Sequence, residues 1–197
     1  MKKNTTKGFT LVELIVASGM FLTATLIIVG AVLSLEAASR KARATRIAFD
    51  NVGAAMDSMS RGIRVGSRFH CGTFTAATIQ NPADCEMSRL GAVINGGESI
   101  FAFERQGGDT SNANDQYVYR LNAERIERST DSGLTYVALT APEIRVTTLQ
   151  FWVGGTAIGS EQPYVTMLVR GTASTSAKTF TSFNIQTTVS QRTPNFF

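Results

Sequence analysis

KGFTLVELIVASGMFLTATLIIVGAVLSL, residues 7–35, is the stretch on which the reading of this chain turns. From Leu14 to Leu35 it carries no charge. About 20 such residues cross a hydrocarbon core of roughly 30 Å as a helix. A secretory signal has a shorter apolar core, ~7–15 residues, followed by a small-residue cleavage site. Ala37, Ala38 and Ser39 are small, but the run before them is too long, so a membrane anchor is expected. Glu13 stands at the head of this run. An unpaired carboxylate in lipid costs a few kcal/mol. At the headgroup level, in the first turn of a helix, the same charge suits the helix dipole.

Beyond the anchor, residues 36–63 contain no proline and much alanine. Ile47, Ala48, Val52, Ala55, Met56, Met59 and Ile63 recur at spacings of three and four, which predicts one apolar stripe. Arg40, Arg43, Arg61 and Arg64 fall largely off it. A helix from Phe9 to Ile63 would be on the order of 80 Å long. One small domain cannot bury such a helix, so its second half is expected to carry a sheet. Short alternating runs follow, predicting strands at 99–105, 116–121, 125–129, 135–139, 145–153, 164–170 and 179–190. The second and third are predicted to form a hairpin through Asn122-Ala123, and Gly154-Gly155 and the segment 171–176 to act as breaks. The expected class is α+β: a long amino-terminal helix, membrane-spanning in its first half, with an antiparallel sheet packed on its outer half.

The remaining motifs argue against chemistry. His70 is the only histidine, no nucleophile elbow, P-loop or GxGxxG is present, and no enzyme activity is expected. Cys71 and Cys85 lack the paired spacing of a zinc site and the CxxC of a redox pair. Residues 107–115, GGDTSNAND, are oxygen-rich but do not match the EF-hand spacing, and a solvated hairpin tip is expected there. Phe101, Phe103, Tyr117, Tyr119, Phe151 and Trp152 read as sheet packing. No metal and no cofactor are expected.

Gly8, Phe9, Thr10, Leu11 and Glu13 together resemble the amino terminus of type IV prepilins and type II secretion pseudopilins. The resemblance covers roughly the first fifth of the chain. It implies cleavage after Gly8 by a prepilin peptidase, N-methylation of the new terminus Phe9, and pairing of Glu13 with the terminal amine of a neighbouring subunit during assembly. Two buried opposite charges compensate each other where either alone is penalised. It further implies a leader at 1–8, a transmembrane and assembly helix at 9–35, the extramembrane helix at 36–64 and a β-rich head at 65–197. One departure is Gly30, where many pilins carry a proline.

Of the 19 lysines and arginines three lie in the leader, so after cleavage 16 face 15 acidic residues and the chain is nearly neutral. Lys2, Lys3 and Lys7 before the anchor are opposed by Arg40, Lys41, Arg43 and Arg46 after it, which leaves the positive-inside rule ambiguous. The prepilin motif and the two cysteines place the head outside the cytoplasmic membrane. There a Cys71–Cys85 disulfide is expected, closing a ~15-residue loop and contributing about 3 kcal/mol on the chain-entropy model.

The expected function is that of a minor pilin or pseudopilin. Residues 134–153 bear a weak likeness to J-type and PilW-like minor subunits. The expected partners are other pilin subunits, the peptidase, an inner-membrane assembly platform and membrane lipid. A major fibre-forming pilin for adhesion or motility is the alternative. A DNA-uptake pilin using Arg40, Lys41, Arg43, Arg46, Arg61, Arg64 and Arg68 is less favoured, because fibre packing would hide the first cluster and nucleic acid needs an open basic track. A plain anchored domain would instead retain residues 1–8.

Overall fold

Helix α1 (Leu11–Val65) dominates the computed structural model, which describes residues 8–72, 81–85, 88–90, 93–95, 97–157, 161–176 and 179–192. The predicted leader, apart from Gly8, lies outside the described residues. The chain divides into two units, residues 1–42 and residues 43–197. In the first, α1 runs unbroken through Gly19 and Gly30, and its apolar side chains are exposed.

In the second unit, Ala44, Ala48, Val52, Ala55, Met56, Met59 and Ile63 form the buried stripe of α1. The expected stripe is thus present, shifted only in that Ala44 joins it and Ile47 is half-buried at its edge. Exposed i,i+4 pairs, Arg46–Asp50 and Arg61–Asp57, line the solvent side. Each contributes about 0.3–0.5 kcal/mol. The helix stops at Gly66, whose amide bonds the Ile63 carbonyl at 3.1 Å and where any Cβ would overlap the Phe103 ring.

Among the described residues ten strands follow: β1 (Ser67–Cys71), β2 (Ser88–Leu90), β3 (Val93–Asn95), β4 (Ile100–Glu104), β5 (Tyr117–Asn122), β6 (Arg125–Ser129), β7 (Val137–Ala138), β8 (Ile144–Gly154), β9 (Tyr164–Ser176) and β10 (Thr179–Ser190). They make a five-stranded sheet β1-β4-β5-β6-β7, a three-stranded sheet β10-β9-β8 and the ribbon β2-β3, with every pairing antiparallel. The architecture is α+β. The helix stripe shares one core with Phe69, Phe101, Phe103, Tyr119 and Ile126 of the larger sheet and with Leu149, Phe151, Val165, Met167, Phe183 and Val189 of the smaller. Phe101 stacks on Phe103 at 5.4 Å and on Phe151 at 5.2 Å, joining the two sheets through aromatic contacts. The other face of the larger sheet holds a smaller cluster, Ala102 and Val118 under Tyr136, with the Arg120 guanidinium 3.4 Å over the Tyr136 ring centroid.

Three expectations need correction. Strand β9 runs on through Gly171 to Ser176 instead of ending at Arg170. Gly171 is a packing glycine: a Cβ there would overlap the Arg145 carbonyl and the Phe183 ring. The β5–β6 turn is centred on Ala123-Glu124, not Asn122-Ala123. Both central residues have positive φ, 45° and 61°, as a type I′ turn demands. Finally, β7 keeps only Val137 and Ala138, because Thr135 is drawn into the preceding loop by Asp131, which accepts its amide at 2.8 Å and its hydroxyl at 2.5 Å.

Candidate functional site

The amino-terminal segment assembles around Thr10. Gly8 and Phe9 precede the helix, both exposed, with nothing within 4 Å of a Cβ position at Gly8 and Phe9 82% accessible. Thr10 is the N-cap: its Oγ1 accepts the Glu13 amide at 3.2 Å. Glu13 Oε2 reaches back to accept the Thr10 amide at 3.3 Å and the Thr10 hydroxyl at 3.2 Å. This is a capping box, with threonine at N-cap and glutamate at N3. The carboxylate therefore sits at the positive end of the helix, satisfied within its own chain. Sequence reading placed Glu13 in the first turn but missed Thr10 as its partner, although the T-x-x-E spacing signals it.

Downstream, the helix carries a long run of exposed apolar side chains. Leu14, Ile15, Met20, Phe21, Leu22, Leu26, Ile27 and Ile28 are all exposed. The helix is long and apolar enough to cross a membrane. Each hydroxyl between Leu14 and Leu35 returns to a carbonyl of the preceding turn: Ser18 to Ile15 at 3.0 Å, Thr23 to Met20 at 2.9 Å, Thr25 to Phe21 at 2.7 Å and Ser34 to Gly30 at 3.0 Å. In lipid every polar group must find such an internal partner. The 22 residues from Leu14 to Leu35 extend roughly 33 Å, about one hydrocarbon thickness.

Cys71 and Cys85 form a disulfide, with Cα atoms 6.2 Å apart. It fastens the end of β1 to a segment that is itself laced to β8. Cys85 and Val153 exchange backbone hydrogen bonds at 3.0 and 3.2 Å, and Asp84 accepts the Thr156 amide at 2.9 Å. Residues 73–80 of the closed loop lie outside the described residues. Beside the bridge, His70 is half-buried, and burial lowers its pKa below the ordinary value.

The segment 107–115 caps the β4–β5 hairpin. Its oxygens serve the loop itself: Asp109 accepts the Ser111 amide at 2.9 Å and hydroxyl at 2.6 Å, Asp115 accepts the Asp109 amide at 3.2 Å, and Asn112 accepts the Asn114 amide at 3.0 Å. The Ser111 bonds hold the Asp109 carboxyl below its usual range. Among the described residues no group of three His, Cys, Asp or Glu side chains is placed to hold a metal. Of the basic residues weighed for nucleic acid, Arg40, Arg46 and Arg61 each pair with a carboxylate four positions away.

Comparison with protein-family models, curated proteins and solved structures returns no match, so the site stands on its own geometry.

Proposed function

We propose that the chain is a minor pilin or pseudopilin, a structural subunit of a type IV pilus or type II secretion pseudopilus. The supporting observation is the amino-terminal arrangement. An exposed Gly8-Phe9 junction lies directly before a capping box at the head of a bare, membrane-length helix. A peptidase needs an accessible peptide bond, and residues 8 and 9 offer one immediately outside the helix. Cleavage there moves the chain terminus to Phe9, one residue before the amide that Glu13 caps. Glu13 can then keep its own Thr10 or exchange it for the amine of a neighbouring subunit. The second pairing fixes lateral register, because a buried carboxylate and ammonium each require the other. The disulfide supports an extracytoplasmic head. In this reading the chain is a peptidase's substrate and not itself a catalyst. Its partners are other pilin subunits, that peptidase and an inner-membrane assembly platform.

Intact-mass and amino-terminal analysis of the protein, expressed with and without a prepilin peptidase, tests this. The expected product is a chain beginning at Phe9, methylated, and formed only with the peptidase. A chain that still begins at Met1 in the peptidase's presence removes the proposal and leaves an anchored domain.

A further inference from the structure

On the face of the β8–β9 pair turned away from the core lies a cavity of about 270 Å³, walled by three segments. Trp152 and Gly154 share that face of β8, and their partners on β9 are Thr166 and Tyr164. The Tyr164 ring lies across Gly154, where a Cβ would stand 2.7 Å from its Cζ and Oη. The two aromatic side chains therefore flank the cavity one strand repeat apart. The Gly97 backbone holds the indole from one side, since a Cβ there would come 2.7 Å from Cε2. The third segment is laced to the end of β8: Cys85 and Val153 exchange backbone bonds, and Asp84 Oδ1 accepts the Thr156 amide at 2.9 Å. Glu161 stands at the rim, its backbone carbonyl 3.0 Å from a Cβ position on Gly155. Asp84, Glu161 and Tyr164 are all exposed, so a solute can reach them from water.

Two carboxylates and two aromatic side chains thus line one cavity, with no lysine or arginine among its described lining residues. Carboxylates and aromatic faces attract the same kind of ligand, a cation. The hydrogen-bonding groups of the walls, however, are largely engaged. Cys85 and Val153 occupy each other's amides and carbonyls, Thr166 Oγ1 bonds Thr188 Oγ1 at 2.9 Å, and Thr156 takes Asp84 Oδ1. A sugar or a primary ammonium needs many such groups to replace the water it gives up. A quaternary ammonium has no N–H and needs none. We propose that this cavity binds a quaternary ammonium group of choline size, with Asp84 and Glu161 supplying charge and Trp152 and Tyr164 the aromatic walls. Drug-sized ligands occupy sites of ~300–1,000 Å³, so this smaller cavity suits a headgroup. The site is independent of the fibre assignment.

Trp152 is the only tryptophan in the chain, so its fluorescence reports on this wall alone. The test is a titration of the full chain in maltoside micelles with choline, read by that fluorescence. Dimethylbutanol, the neutral carbon isostere of choline, controls for shape, ethanolamine for the methyl groups and sodium chloride for ionic strength. The expected result is a saturable change with choline, absent with dimethylbutanol and sodium chloride and weaker with ethanolamine. Asp84→Asn, which keeps an oxygen for the Thr156 amide, is expected to weaken it about tenfold. Glu161→Gln, at an exposed position, gives a second reading should Asp84→Asn fail to fold, and a loss in the same direction is expected. Choline binding better than phosphocholine points to a free solute, and the reverse order to a lipid headgroup. Either order supports the site. No saturable change, an equal change with dimethylbutanol or sodium chloride, tighter binding of ethanolamine, or undiminished binding in both variants overturns the proposal.

Discussion

At the residue scale, two carboxylates have opposite surroundings and opposite consequences. Asp131 accepts bonds from the Ser129 hydroxyl at 2.6 Å and from the Thr135 amide and hydroxyl, which hold its pKa down at about 2. A carboxyl depressed by folding contributes stability that is complete above its unfolded pKa and is lost as pH falls through the folded one. Asp131→Ala is therefore expected to be less stable than the parent at pH 6, with the gap closing as pH falls toward 2, in paired urea titrations. A pH-independent gap would mean that the carboxyl's charge is not the source. Glu104 behaves the other way. Burial first, then the Asp115 charge, raises its pKa, with Gln116 opposing. The folded chain then holds a proton that the unfolded chain releases, so stability falls as pH climbs from the ordinary carboxylate range through the raised value. Glu104→Gln should match the parent near pH 4 and exceed it at pH 7. A parent at least as stable as the variant at pH 7 would contradict the buried, unsatisfied carboxylate. Nothing in its local sequence announced Glu104, because its cover by Gly108 and its bond from Gln116 arise only in the folded chain.

At the scale of elements, local strain and close packing account for what the sequence showed and what it hid. Helix α1 was legible because 22 uncharged residues and a stripe at spacings of three and four leave few alternatives. Strand β10 was legible to its boundaries because Phe183, Ile185, Thr187 and Val189 alternate strictly. Strand β1 was not. It is five residues long, follows the helix after Gly66 alone, and bulges between Ser67 and His70 with Arg68 at a φ of 53°. The β5–β6 turn was hard to centre because Ala123 and Glu124 take left-handed conformations that their side chains disfavour. Replacing them by Asn-Gly is expected to stabilise the protein by about 1 kcal/mol. The Glu124–Arg145 pair lost with it is exposed and worth little. A raised unfolding midpoint in urea is the check, and an unchanged or lower one would argue against the type I′ assignment. Gly171→Ala should act in the opposite sense. Its Cβ meets backbone at Arg145, which cannot swing aside as a side chain can, so a loss of about 1–3 kcal/mol is expected. A neutral result would show that β8 and β9 separate there without penalty.

For the molecule as a whole, the division at residues 42 and 43 separates two ways of satisfying a chain. From Gly8 to Ala42 the apolar side chains are bare, and the internal hydroxyl bonds are those that a lipid surrounding would require. From Arg43 onward the apolar stripe of α1, both sheets and the disulfide close one core of their own. The second unit should therefore not depend on the first. A chain beginning at Arg43 is expected to be soluble without detergent and to unfold cooperatively, whereas the full chain needs detergent. Within that shortened chain, Cys71→Ala/Cys85→Ala should lower stability by about 3 kcal/mol, since the bridge closes a loop of roughly 15 residues. Paired urea titrations of the shortened chain with and without the bridge measure the difference. A shortened chain that aggregates, or that lacks a cooperative transition with the bridge intact, would mean that residues 8–42 contribute to the core. That would undo the separation on which the membrane reading of the helix rests.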